Sequence, residues 1–136
     1  MQWLVNKEVV ILIKKIDLNI WDRDFTLDVV YECYSYEKVT TVQEKALIDF
    51  LKNVNVIDKA KKIVEKYCEE SVNADEENNK KDNIFSYIKP HYIFVKRGDS
   101  QKVAVMCKYK YDMENGIAIV FEKDEKIIVC VQDEIL

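Results

Sequence analysis

The sequence predicts a single α+β domain over residues 1–136, with an antiparallel sheet of N-terminal strands plus a C-terminal β-meander packed against a helical hairpin. Three observations predict it. Between Gln101 and Val131, three strand-like runs follow one another with short polar breaks at residues 111–116 and 123–125. Between Thr41 and Cys68, apolar side chains recur at helical spacing in two successive stripes. Only two Gly and one Pro are present in 136 residues, which leaves little material for linkers and no internal boundary.

The elements follow in order. Val9 to Ile13 is an unbroken, β-branched apolar run within Glu8 to Ile16 and reads as a buried strand, with a turn of buried helix as the alternative. After a polar bend at Trp21 to Asp24, the stretch from Phe25 to Tyr36 alternates. Phe25, Leu27, Val29, Tyr31 and Cys33 fall on one face, while Tyr34 and Tyr36 share the other with the acids. A capping box opens the first helix, in one of two registers: Thr40 with Gln43, or Thr41 with Glu44. Val42, Ala46, Leu47, Phe50, Leu51 and Val54 form its stripe. Val56, Ile57, Ala60, Ile63, Val64, Tyr67 and Cys68 form that of the second helix.

Glu69 to Asn83 is polar, acid-rich and aperiodic, the composition of a mobile loop. A helical turn at Ile84 to Ile88 must stop before Pro90, and His91 to Lys96 then enters the sheet. In the first meander run Val103, Val105, Cys107, Tyr109 and Tyr111 alternate with Lys102, Ala104, Met106, Lys108 and Lys110, which predicts one buried and one mostly wet face. Ile117 to Phe121 and Ile127 to Val131 are apolar at both parities and predict cover on both faces. Asn115-Gly116 and Arg97-Gly98-Asp99 read as turn chemistry.

Composition narrows the function classes. A net charge of −4 argues against a nucleic-acid binder, which needs a basic footprint, and fits a basic partner. No run of about 18 apolar residues predicts a membrane span, and the expected location is the cytoplasm. Cys33, Cys68, Cys107 and Cys130 stand singly in apolar segments and read as buried, reduced thiols; a Cys107–Cys130 bridge between neighbouring strands is the alternative. No catalytic set, metal ligand set or cofactor motif is found. His91 is the only histidine, the cysteines never reach CxxC spacing, and two glycines cannot build a phosphate loop. Asp112 and Glu114 could be paired as acid and base, but they lie on a turn that reads as solvated.

Partner binding is the better expectation. Its candidate residues are the aromatics Tyr34 and Tyr36, the loop acids Asp75, Glu76 and Glu77, the turn acids Asp112 and Glu114, and the far-end acids Glu122, Asp124 and Glu125. Two stretches add a resemblance: Thr40-x-x-Gln43 with Ala46, Phe50 and Leu51, and Tyr111-Asp-Met-Glu-Asn-Gly116 running into an apolar strand, with Trp21 at the position of an early tryptophan. Together they resemble a group of small uncharacterised bacterial domains with a helical hairpin and a closing β-meander. Asn115 stands where that pattern carries histidine. The resemblance implies no established activity; proteins of this size and type include immunity proteins that block a cognate toxin. The expected function is therefore occlusion of a basic toxin domain. The alternatives are a small hydrolase or transferase using Asp112, Glu114 or His91, and a structural adaptor.

Overall fold

The computed structural model describes residues 14–34, 37–71 and 83–136. Among these residues six strands form one sheet in the order β1-β2-β3-β4-β5-β6: β1 Lys14–Ile20, β2 Arg23–Tyr31, β3 Ile88–Val95, β4 Lys102–Tyr109, β5 Ile117–Glu122 and β6 Lys126–Cys130. Helices α1 Thr41–Lys52 and α2 Val56–Ser71 lie between β2 and β3 in sequence. The α+β architecture is as the sequence predicts. One pairing departs from the expected antiparallel sheet: β2 and β3 run parallel, from Asp28↔Tyr92 to Tyr31↔Val95. The reason is the helical hairpin itself, a crossover that returns the chain to the end of the sheet from which β2 started. The run Val9 to Ile13 lies outside the described residues.

The helices cover one face. Leu18, Ile20, Leu27, Val29, Ile93, Val95, Val103, Val105, Ile117, Ile119 and Phe121 meet Ala46, Leu47, Phe50, Ile57, Ala60 and Val64 in one core. The other face carries a smaller cluster of Phe94, Ala104, Met106, Ala118, Val120, Cys130 and Ile135. Ala104 and Met106 are fully buried, so β4 is wet only at Lys102 and Lys108 rather than along a whole face. β5 is buried at both parities as expected, whereas β6 is an outer strand and leaves Ile128 exposed. Val54 and Ile63 are also exposed, contrary to their place in the helical stripes. Val54 falls in the turn between the helices, and α2 meets the sheet through a narrower seam of Val56, Ile57, Ala60, Val64 and Cys68.

Pro90 sits inside β3 rather than ahead of it. Pairing with β2 begins only at Tyr92, so the first half of β3 bonds to β4 alone and can spare a donor. A bulge falls between Pro90 and Tyr92. All four cysteines are buried and none is in a disulfide. β5 separates Cys107 from Cys130, and the two belong to opposite faces, so the alternative bridge is not made. Of Asn115 and Gly116, only the glycine takes a left-handed backbone, with φ +62°. It is also crowded: a Cβ there would come within 2.6 Å of Gln132 Nε2, which donates to Cys107 O at 2.9 Å.

The capping-box register is the one opened by Thr40: Gln43 N donates to Thr40 Oγ1 at 3.1 Å, and Gln43 Oε1 accepts from Thr40 N at 2.9 Å. The same side chain then does more than cap. Gln43 Nε2 donates to Glu32 O at 2.8 Å and to Val95 O at 3.2 Å, just past the end of β2 and at the end of β3. Gln43 is the single fully buried polar residue among the described ones, and its amide is bonded at both ends. Replacing it with leucine keeps the volume but takes the bond away from Glu32 O and Thr40 N and leaves Val95 O with Glu32 N alone, at 3.0 Å. Gln43→Leu is expected to lower unfolding free energy by about 2–4 kcal/mol, read by urea denaturation. A loss smaller than that of an exposed helix substitution would show that the bonds do not matter.

Candidate functional site

β2, β3 and β5 end, and β4 and β6 begin, at one end of the sheet. The connections at this end are therefore the segment after β2, the β3–β4 turn and the β5–β6 turn. A cleft of about 300 Å³ opens here between α1, the α1–α2 corner and the β5–β6 turn. Its floor is apolar. Phe50 and Phe121 lie 5.1 Å apart at a tilt of 46°, flanked by Ala46, Val56 and Val103. Its rim is acidic, with Asp49 from α1 and Glu122, Asp124 and Glu125 from the turn; Lys123, Asn53 and Gln101 complete it.

The turn is unusual in its backbone. Lys126 N donates to Lys123 O, and the two corner residues, Asp124 and Glu125, have φ of 61° and 60°. Asn-Gly is the preferred pair at such corners, because β-carbons crowd the left-handed conformation. Here two carboxylate residues hold it instead. Lys59 of α2 pairs with Glu125 and ties the turn to the helix layer. The β1–β2 turn shows the same feature at Trp21 (φ 50°) and Asp22 (φ 68°). In that turn packing explains the strain: Trp21 is buried, donates from Nε1 to Ile57 O at 2.8 Å and packs on Phe85 at 5.7 Å. No such burial holds Asp124 and Glu125, both of which are exposed.

A second set of contacts stiffens the same end. Arg97 donates from its guanidinium to Lys38 O at 2.9 Å and pairs with Glu37 at 3.4 Å, while Arg97 N donates to the Glu32 carboxylate at 2.9 Å. Lys96 pairs with Glu32 at 3.4 Å. Arg97-Gly98-Asp99 is thus a turn whose arginine is spent on its own chain. Glu37 also accepts from Tyr34 N at 2.9 Å, which presents the Tyr34 ring half-exposed from a pinned turn.

The sequence-predicted residues separate by position. Glu122, Asp124 and Glu125 converge on the cleft, and Tyr34 lies at the same end of the sheet. Asp112 and Glu114 follow β4 at the opposite end. Asp112 serves its turn, accepting from Asn115 N at 3.3 Å and from Nδ2 at 3.1 and 3.0 Å. His91 is the exposed residue at the β3 bulge, its ring edge-on to Tyr92. Neither it nor Asp112 nor Glu114 lines the cleft, nor the cavities beside Asp17–Asn19 and Asp24–Thr26 and around Arg23, Lys61 and Phe85. Tyr36, Asp75, Glu76 and Glu77 lie outside the described residues. Sequence reasoning missed Asp49, Phe50, Asn53, Gln101 and Phe121 as site residues. The available signal was the run Glu122-Lys-Asp-Glu125, charged residues where a hairpin corner calls for Asn-Gly.

The thiols are not poised to react. Burial pushes Cys68 up to about 11 and raises Cys107 further, with Cys68 nearby adding to the rise. Both stay protonated at neutral pH. Among the described residues there is no group of three or more His, Cys, Asp or Glu that could hold a metal ion, and no helix long and apolar enough to cross a membrane.

Fold and site together define a small α+β domain with an acidic, aromatic-floored cleft at one end of its sheet. Over residues 3–136 the chain matches the model of a family described as a domain of unknown function, DUF6985, and it belongs to that family. Neither the curated proteins nor the solved structures gave a match.

The left-handed corner gives a test. Glu125→Gly removes the β-carbon clash at the cost of a freer unfolded chain and an ion pair exposed at both ends. A net gain of roughly 0.5–1 kcal/mol is expected in chemical denaturation. A clear loss would mean that the Lys59 contact, and not the backbone, dominates this turn.

Proposed function

We propose that this domain binds a basic segment of a partner protein at the acidic cleft, as an immunity protein would when it occludes a basic toxin domain in a bacterial cytoplasm. The observation that carries this reading is the pairing of four rim carboxylates with an aromatic floor. A lysine or arginine side chain is amphipathic in the same order: its methylene stem lies on apolar surface and its cation reaches a charged or aromatic group. The floor of Phe50 and Phe121 takes the stem, and Asp49, Glu122 and Asp124 take the head.

Two further features support it. Strain at Asp124 and Glu125 is a cost that glycine would remove, and retained backbone strain is commonest where side-chain chemistry matters. Tyr34, held half-exposed by Glu37 and Arg97 at the same end, offers a preorganised aromatic of the kind that anchors protein interfaces. The net charge of −4 adds long-range attraction for a cationic partner.

The partner is to be captured from the native cytoplasm with tagged protein and identified by mass spectrometry. Reversing Glu122, Asp124 and Glu125 to lysine is then expected to slow association at low salt by tenfold or more, as steering of this type allows. The same reversal of Asp112 and Glu114 at the far end should have a smaller effect. Equal effects of the two sets would leave only net charge at work, and no effect of the first would end the cleft reading.

A further inference from the structure

The occupancy of the cleft in the free protein suggests how a partner enters it, an inference that rests on the basic-segment reading above. Three of the four rim carboxylates already face lysines of the same chain. Lys45 stands 3.9 Å from Asp49, Lys102 and Lys126 each stand 4.0 Å from Glu122, and Lys59 pairs with Glu125. Asp124 has no ion-pair partner among the described residues.

These pairs are not equivalent. Lys45 is on the same helix as Asp49, and Lys102 and Lys126 occupy the positions across from Glu122 in the neighbouring strands. Such contacts sit along one wall and leave the opening unchanged. Lys59 belongs to α2, 66 residues from Glu125 in sequence. Its reach joins the two walls, the helix layer that supplies Asn53 and Val56 and the turn that supplies Glu122 to Glu125. We propose that Lys59 is a latch across the cleft, an internal ammonium that holds Glu125 until a cation of the partner replaces it.

Exchange suits an exposed carboxylate at this place. The turn stays tied to α2 and the charge of Glu125 stays paired while the cleft is empty, and the arriving cation exchanges one ion pair for another. Lys59 then swings into water, which is easy because 59% of its side chain is exposed already. A latch between groups this exposed is weak, so releasing it changes a binding constant by a few-fold and no more than about fivefold. The latch also discriminates. A neutral or apolar occupant gains nothing from displacing Lys59 and leaves the ion pair in place.

The test uses tetralysine amide as the probe, followed by the backbone amide shifts of residues 122–125. Lys59→Gln is expected to tighten the probe about two- to fivefold. Lys66→Gln, which removes the same charge from an exposed position of the same helix, is expected to leave affinity nearly unchanged. An equal change in both variants, or none in Lys59→Gln, overturns the latch. A second readout needs no ligand: in the free protein Lys59 should be acetylated more slowly than Lys61 and Lys62, and Glu125→Gln should abolish the difference. Equal rates in the unaltered protein overturn the latch by themselves. Slow acetylation of Lys59 with no saturable response to the probe would keep the latch and reject the basic-segment reading of the cleft.

Discussion

One buried amide holds this structure in register. Gln43 caps α1 with its oxygen and bonds the carbonyls of Glu32 and Val95 with its nitrogen, so a single side chain fixes where the crossover begins and where both parallel strands end. A buried amide left half-bonded costs more than a bonded one contributes, and this asymmetry makes the arrangement specific as well as stable. Any slip of β2 against β3 would strand Val95 O or Glu32 O without its partner. The α1 N-terminus, the Arg97 contacts and the cleft wall at Asp49 and Phe50 all inherit their positions from this point.

The two strained turns can be understood within that frame. At Trp21 and Asp22 the left-handed backbone is held by burial: the indole fills a site against Phe85 and bonds the first turn of α2. At Asp124 and Glu125 the same backbone is held in the open, with an exposed ion pair to Lys59. α2 is therefore tied early in its course to both hairpins, by a buried bond to one and an exposed ion pair to the other. The first reads as architecture, and the second stands at the rim where chemistry is available. A rigid support suits the binding role proposed above, since preorganised walls lower the cost of ordering a partner.

Much of the fold was legible because it rests on local periodicity. The meander, the two helices, the Thr40 capping option and the turn at Gly116 follow from apolar spacing and turn residues that act within a few positions of themselves. The parallel pair was missed although its signal was present, since two helices between one strand and the next are what a parallel return requires. The wet face assigned to Ala104 and Met106 failed for another reason. Small or flexible apolar residues between lysines look like a surface strand until their cover is known, and here Ile135 near the C-terminus and Tyr92 of the neighbouring β3 pack against them. Of the site, the turn acids were legible as charge but not as a cleft. Asp49 and Phe50 lie more than 70 positions upstream of that turn, and no short-range pattern links them to it.

By itself the sequence determined which segments become strand or helix and that the surface is acidic, because propensity and amphipathic period are properties of neighbouring residues. Tertiary structure alone decided that β2 meets β3 in parallel, that Gln43 turns from a cap into a clamp, and that Asp49, Glu122, Asp124 and Glu125 surround one aromatic floor. Those outcomes depend on which distant backbone groups and side chains share a few ångströms of space. Chain closure and burial set that proximity, and no local pattern encodes it.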